Sequence, residues 1–89
     1  MKIEISEEVV WREFGGEVLM LDLASQHYFG LTGAGSEMWR LIAEYGLSDR
    51  VIDSLLAKYD VEPASLRADF EKLVDELAAK GMLRVTRGE

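Results

Sequence analysis

Two adjacent glycines, Gly15 and Gly16, separate two runs of strand-forming residues near the start of the chain. The runs are VVWREF (9–14) and EVLMLDL (17–23), and both are rich in β-branched, aromatic or aliphatic side chains. Glycine readily adopts the positive φ that a two-residue hairpin turn requires, so the pattern predicts an antiparallel hairpin. Nearly every position of the second run is apolar, which predicts a central strand covered on both faces.

A third strand is predicted directly after this hairpin. The residues ASQ (24–26) indicate a turn, and HYFGL (27–31) follows as an aromatic extended segment. Alternation places His27, Phe29 and Leu31 on one face of this strand and Tyr28 and Gly30 on the other. If the strands pair in sequence order, this strand is an edge of the sheet or a neighbour of one.

Helical spacing dominates the chain after residue 32. EMWRLIAEY (37–45) predicts a first helix capped by Thr32 or Ser36, and DRVIDSLLAKY (49–59) predicts a second. Pro63 suits the first turn of a third helix that ends near Gly81, because its missing N–H has no helical partner there. The last segment, MLRVT (82–86), is predicted to be a short extended tail.

The predicted order is therefore β-β-β-α-α-α. It describes an α+β fold that resembles a winged helix-turn-helix, with a three-stranded antiparallel sheet followed by a three-helix bundle. No linker or repeat divides the chain, so residues 1–89 are predicted to form one domain.

The third helix has two flanks that could face another element. Its predicted core stripe is Leu66, Phe70, Leu73 and Leu77. One border of that stripe carries Arg67, Glu71, Val74 and Ala78, and the other carries Asp69, Glu76 and Lys80. Either border could line a groove, and the sequence leaves the choice open.

The charge and residue inventory exclude several classes of function. The chain has 17 acidic and 10 basic residues, a formal charge of −7, one histidine and no cysteine. Too few ligands are present for a typical zinc site, and no serine has the context of a nucleophile elbow. The glycines of GLTGAGSEMW lack the lysine and spacing of a phosphate-binding loop. We therefore expect no catalytic residue, metal or cofactor, and a cytoplasmic protein without a membrane segment.

DNA binding by a winged-helix transcription factor is the alternative that the fold raises. SLRADFEKLVDELAAK (65–80) contains three basic and four acidic residues, and the whole chain is acidic. Such a helix is poorly suited to the major groove. Peptide binding fits better, because an extended peptide can add a strand to an exposed sheet edge and an acidic surface attracts a basic peptide.

Two long stretches resemble the PqqD-like family of leader-peptide recognition domains. They are GEVLMLDLASQHYFGLTGAGSEMWRLI (16–42) and LLAKYDVEPASLRADFEKLVDELAAKGML (55–83). The resemblance implies that the leader of a ribosomally made precursor peptide pairs with the third strand, in the groove against the third helix. The candidate peptide-binding residues are then Gln26, His27, Tyr28, Phe29, Gly30, Leu31, Arg67, Asp69, Phe70, Leu73 and Val74.

The resemblance also implies a pathway and partners. A short stand-alone chain is most similar to the leader-binding proteins of lasso-peptide biosynthesis, which act beside a cysteine-protease-type leader peptidase and an ATP-dependent macrolactam cyclase. Lasso leaders in this family carry a Tyr-x-x-Pro motif and often lysines. Within the same family, the alternative is a PqqD-type peptide chaperone of pyrroloquinoline quinone synthesis.

Overall fold

The computed structural model describes residues 1–87. Within this range the elements are, in chain order, β1 (Lys2–Ile5), β2 (Val9–Phe14), β3 (Glu17–Asp22), β4 (His27–Leu31), α1 (Gly33–Tyr45), α2 (Ser48–Lys58), α3 (Pro63–Ala79) and β5 (Leu83–Thr86). The architecture is α+β, as predicted. The predicted domain of residues 1–89 also includes residues 88–89, which lie outside the described range.

The predicted three-stranded antiparallel sheet is confirmed. Its order is β2-β3-β4, so β3 is central and β4 is an edge. Gly15 and Gly16 adopt φ angles of 53° and 85° in the turn between β2 and β3, where Phe14 pairs with Glu17. These positive φ angles are the reason that glycine is favoured at both turn positions.

The predicted order β-β-β-α-α-α is wrong at both ends of the chain. A first strand, β1, precedes the hairpin, and the predicted extended tail forms β5, which pairs with β1 in a separate two-stranded antiparallel sheet. Ile3 explains the position of β1: its side chain is buried, and its N–H donates to the carbonyl oxygen of Gly46 (2.8 Å) at the end of α1. The first strand thus contacts the loop between α1 and α2 on one side and pairs with β5 on the other.

Helix α1 packs against β3 on one face of the larger sheet, α2 and α3 pack against α1, and the core lies between these elements. Trp39 of α1 is completely buried, and its ring meets that of Trp11 from β2 edge to face, with 6.1 Å between centroids. The buried side chains of α3 are Leu66, Phe70, Val74 and Leu77. The core stripe therefore includes Val74, whereas the predicted Leu73 is only half-buried. Leu66, Phe70 and Val74 are spaced four residues apart and so lie on the same face of the helix.

The prediction that β3 is covered on both faces is also wrong. Val18 and Met20 point into the core, whereas Leu19 points away from it and is 43% exposed. Within residues 1–87 no element packs over this second face. The sheet thus has an inner face against the helices and an apolar outer face in contact with solvent.

Candidate functional site

The four-residue turn before β4 is held by the side chain of Asp22. Asp22 is 6% exposed, and its carboxylate accepts hydrogen bonds from the Ala24 N–H (3.1 Å) and the Ser25 hydroxyl (3.0 Å). The Gln26 N–H donates to the Asp22 carbonyl oxygen, and Gln26 has a φ of 63°. Gln26, predicted as part of the strand edge, is therefore a turn residue that directs the chain into β4.

One side of β4 pairs with β3, and no strand pairs with its other side within residues 1–87. On its inner face, Phe29 and Leu31 are half-buried and His27 is exposed. On its outer face, Tyr28 is 70% exposed and Gly30 has no heavy atom near the position of an added Cβ. The free edge therefore offers backbone N–H and C=O groups to another extended chain.

The segment that follows α3 lies against β4. Lys80, the residue that follows α3, places its ammonium group 4.8 Å from the centre of the Phe29 ring, a cation–π contact. A cavity of about 240 Å³ opens here between the strand and the residues after the helix, with His27, Phe29, Lys80 and Met82 in its lining. The Asp69/Glu76/Lys80 flank of α3 thus faces β4.

A second cavity, of about 450 Å³, lies beyond the other end of β4. It is lined by Gly33 and Ala34, which follow the strand, and by Leu66 and Asp69 near the start of α3. At about 3.3 Å per residue β4 is roughly 16 Å long, and the helical path from Asp69 to Lys80 is also roughly 16 Å. We call the space between β4 and this flank of α3, with a cavity at each end, the strand–helix groove.

The remaining predicted residues of α3 lie in three different environments. Phe70 and Val74 are buried in the core beneath the groove, and Leu73 is half-buried on the flank that faces β4. The guanidinium of Arg67 lies 3.9 Å from the carboxylate of Asp49 in α2, on the opposite flank. The structure brings Asp69 and Leu73 to the same flank as Lys80 but directs Arg67 away from it.

Three polar side chains connect α1 to the end of α2 beside the larger cavity. The Glu37 carboxylate accepts hydrogen bonds from the Lys58 ammonium (2.8 Å) and from the Tyr59 hydroxyl, and Tyr59 lines the cavity. These two hydrogen bonds lower the pKa of Glu37. The same carboxylate raises the pKa of Lys58 and of Tyr59, because it stabilises their protonated forms.

Sequence reasoning missed several residues that line the groove. Ser25, Gly33, Ala34 and Met82 lie outside the predicted site, and Lys80 was placed on one of two possible flanks. Residue spacing along α3 shows that Asp69, Glu76 and Lys80 share one flank, but it does not show that this flank faces β4. Which flank faces β4 depends on the rotation of the helix about its axis, and the burial of Val74 fixes that rotation.

Neither a cluster of metal-ligand side chains nor a membrane-length apolar helix is present among the residues that the structure describes. Residues 1–87 contain no group of three or more histidine, cysteine, aspartate or glutamate side chains arranged to hold a metal ion. No helix in the same range is long and apolar enough to span a membrane.

Comparison with known proteins identifies one family and two similar structures. A family model described as coenzyme PQQ synthesis protein D (PqqD) matches residues 17–83. A solved structure of TbiB1 in complex with the TbiA(beta) leader peptide is 32% identical in sequence, with a TM-score of 0.89, and the match covers 99% of this chain and 100% of that chain. A lasso peptide synthetase B1 complexed with its leader peptide shares the fold, with 20% identity, a TM-score of 0.84 and coverage of 96% and 100%. No curated protein sequence matches the chain.

Proposed function

This chain belongs to the PqqD family, and we propose that it is a non-catalytic protein that recognises the leader region of a ribosomally made precursor peptide. The leader adds as a further strand to the free edge of β4 and lies in the strand–helix groove. The observation that carries this proposal is the juxtaposition of an unpaired strand edge with a groove that has a cavity at each end.

In strand addition, backbone hydrogen bonds supply affinity and side-chain contacts supply specificity. Hydrogen bonds to the main chain of residues 27–31 supply affinity that does not depend on the leader sequence. Leader residues opposite Phe29 and Leu31 point into the groove, where Asp69 and Leu73 form part of the helix wall. Phe70 and Val74 are buried and do not contact the leader; their packing in the core fixes the position of α3 beside the groove.

Electrostatics favours a leader with basic residues. The chain carries a formal charge of −7, and Asp69 and Glu76 lie on the flank of α3 that faces β4. A positively charged peptide is attracted to such a surface from a distance, and this attraction raises its association rate. Lys80 covers the Phe29 ring at one end of the groove, so the acidic character is strongest away from that end.

Lasso-peptide biosynthesis is the pathway that we propose. TbiB1, a leader-peptide complex in its solved structure, is similar to this chain over nearly its whole length, at 32% identity. On this proposal the protein presents its bound precursor to a leader peptidase of cysteine-protease type and to an ATP-dependent macrolactam cyclase. A role as a PqqD-type chaperone in pyrroloquinoline quinone synthesis is the alternative within the family.

Titration of a fluorescent leader peptide tests the proposal. The peptides are synthesised from the short open reading frames beside the gene for this protein, and a scrambled peptide of the same composition is the control. We expect a dissociation constant near or below about 1 μM, or about −8 kcal/mol, for the leader only. Absence of binding to every neighbouring leader would overturn the proposal, and selective binding of a quinone-cofactor precursor would favour the alternative.

A further inference from the structure

The larger cavity of the strand–helix groove has one wall that belongs to neither β4 nor α3. Tyr59 and Val61 form this wall, and both lie in residues 59–62, which connect α2 to α3. Their side chains stay 39% and 44% exposed although they are apolar. We call these two residues the connecting wall. Strand addition to β4 does not require such a wall, so its role at the cavity is a separate question.

One hydrogen bond from another helix holds the Tyr59 ring in the connecting wall. The Tyr59 hydroxyl donates to the carboxylate of Glu37 in α1, 22 residues earlier in the chain. Tyr59 is the residue at which α2 ends, and its backbone is already extended, with φ −117° and ψ 143°. A ring that is more than a third exposed has few packing contacts to fix its rotamer. The bond to Glu37 is therefore the polar contact that determines where the ring lies.

Glu37 holds this ring from outside the cavity. Its neighbours Ser36 and Met38 line the cavity, but Glu37 itself does not. The Glu37 side chain is only 15% exposed, and its carboxylate also accepts a hydrogen bond from the Lys58 ammonium (2.8 Å). The hydrogen bonds from Lys58 and Tyr59 lower the pKa of Glu37, so the carboxylate stays ionised. An ionised acceptor makes a stronger hydrogen bond than a neutral one.

We propose that Glu37 is a positioning residue of the leader site, which fixes the Tyr59 ring as a wall of the larger cavity before the leader binds. This inference rests on the proposed function. The leader side chain that enters the cavity is apolar, because the buried side chains of Met38, Leu55 and Leu66 are in its lining. A ring that is already fixed does not have to be ordered when that side chain arrives, so less conformational entropy is lost on binding.

Four variants separate the hydrogen bond from the charge and from the ring. Tyr59→Phe and Glu37→Ala each break the hydrogen bond from a different end. Glu37→Gln removes the charge but keeps an oxygen that can accept from the Tyr59 hydroxyl. Tyr45→Phe is the matched control, because Tyr45 is also 39% exposed but lies at the end of α1 and lines a different cavity. Urea unfolding verifies that every variant is folded under the titration conditions.

The first measurement is the affinity of each variant for the leader that binds the parent, by fluorescence anisotropy. Tyr59→Phe and Glu37→Ala should each bind about fivefold more weakly, since the freed ring has to be ordered on binding. The double variant Glu37→Ala/Tyr59→Phe should bind no more weakly than either single variant, because both changes remove the same hydrogen bond. Glu37→Gln should recover most of the affinity that Glu37→Ala loses, and Tyr45→Phe should stay within about twofold of the parent.

The second measurement distinguishes positioning at the cavity from general weakening of the fold. Each apolar residue of the leader is replaced by alanine in turn, and the peptides are titrated against the parent and Tyr59→Phe. For the leader residue that enters the cavity, the two losses should not add, since alanine no longer reaches the Tyr59 ring. For the other leader residues the losses should add.

Three results would overturn the inference. Tyr59→Phe could bind the leader as tightly as the parent does, or Glu37→Gln could bind it as weakly as Glu37→Ala does. The losses from Tyr59→Phe and from alanine could also add at every leader residue, which would mean that the ring contacts none of them. Failure of the parent to bind any leader would defeat the proposed function itself, and it would be seen before any variant is made.

Discussion

Asp22 shows how one side chain determines where the candidate binding edge begins. Its buried carboxylate accepts hydrogen bonds from Ala24 and Ser25, and the turn that it holds ends at Gln26 with a left-handed backbone. The strand that follows is the free edge. Asp22 therefore positions the binding edge, although it does not line the strand–helix groove.

Replacement of Asp22 should destabilise the fold. Asp22→Ala leaves two donors of the turn without their acceptor, and we expect a loss of about 1–3 kcal/mol in the free energy of unfolding. Asp22→Asn retains one acceptor oxygen and should lose less than half of that amount. Urea unfolding with an unchanged m-value measures both effects. An alanine variant as stable as the parent would show that the turn does not need the carboxylate.

Asp69 and Glu71 form a matched pair that identifies the flank of α3 used in binding. Both are exposed acidic residues of one helix, but Asp69 lies on the flank that faces β4 and Glu71 on the opposite one. Asp69→Lys should weaken the binding of a basic leader by about tenfold at low salt, whereas Glu71→Lys should change it by less than about threefold. Anisotropy titrations compare the two. Equal losses would mean that only the total charge of the protein matters.

The connections between elements depend on backbone conformations that few residues can adopt. Gly46 ends α1 with a φ of 70°, its N–H donates to the Ile42 carbonyl oxygen, and its own carbonyl accepts from Ile3 of β1. A Cβ at this position would lie 3.3 Å from the Ile3 carbonyl oxygen. One glycine thus both ends the helix and leaves room for the first strand.

Gly46→Ala should therefore cost about 1–2 kcal/mol of stability, because alanine disfavours the left-handed region and its methyl group crowds β1. Gly30→Ala is the control, since Gly30 lies in β4 and an added Cβ meets nothing within 4 Å. Its stability should change by less than about 0.5 kcal/mol. Thermal unfolding distinguishes the two substitutions. Equal melting temperatures for both variants would contradict the proposed role of Gly46.

The Glu37 cluster ties α1 to the end of α2 and makes part of the stability depend on pH. The pKa of Glu37 lies below its ordinary value of 4.5, because Lys58 and Tyr59 donate hydrogen bonds to the carboxylate. The stability from this group is therefore fully present above about pH 4.5 and is lost as pH falls through the lowered pKa. Solvent screening limits the effect to less than about 1 kcal/mol.

Glu37→Gln should consequently be less stable than the parent at pH 7, and the difference should shrink as pH falls below about 4. Urea unfolding at a series of pH values measures this difference. Glu44→Gln, at an exposed position of the same helix, is the control and should unfold within about 0.5 kcal/mol of the parent at pH 7. A Glu37→Gln deficit that stays constant down to pH 3 would mean that the ion pair contributes no pH dependence.

At the scale of the whole molecule, the sequence predicts the elements that have clear local signals. The Gly15-Gly16 turn, the three strands around it and the three helices are all present. The strand Lys2–Ile5 was missed although it alternates polar and apolar residues, because four residues without a turn signal also fit an irregular terminus. Its partner β5 lies at the other end of the chain, and such long-range pairing leaves no local pattern.

The site was predictable on its strand side and only partly on its helix side. Residues 27–31 form the edge because strand order follows chain order. The contact between Lys80 and Phe29 depends instead on the rotation of α3 about its axis. That rotation buries Val74 in the core, whereas the sequence predicts that Leu73 is buried. The exposure of Leu19 could not be foreseen either, since an apolar residue on a central strand is typical of a buried face.

Amide hydrogen exchange of residues 27–31 shows whether the leader adds as a strand to β4. In the free protein the edge N–H groups that point away from β3 should exchange rapidly, since no strand of the described residues covers them. Saturating leader should slow exchange at alternate residues of β4 by about tenfold or more, while the outer edge of β2 stays unchanged. A leader that binds without protecting β4, or that protects β2 instead, would mean that it does not add as a strand to β4.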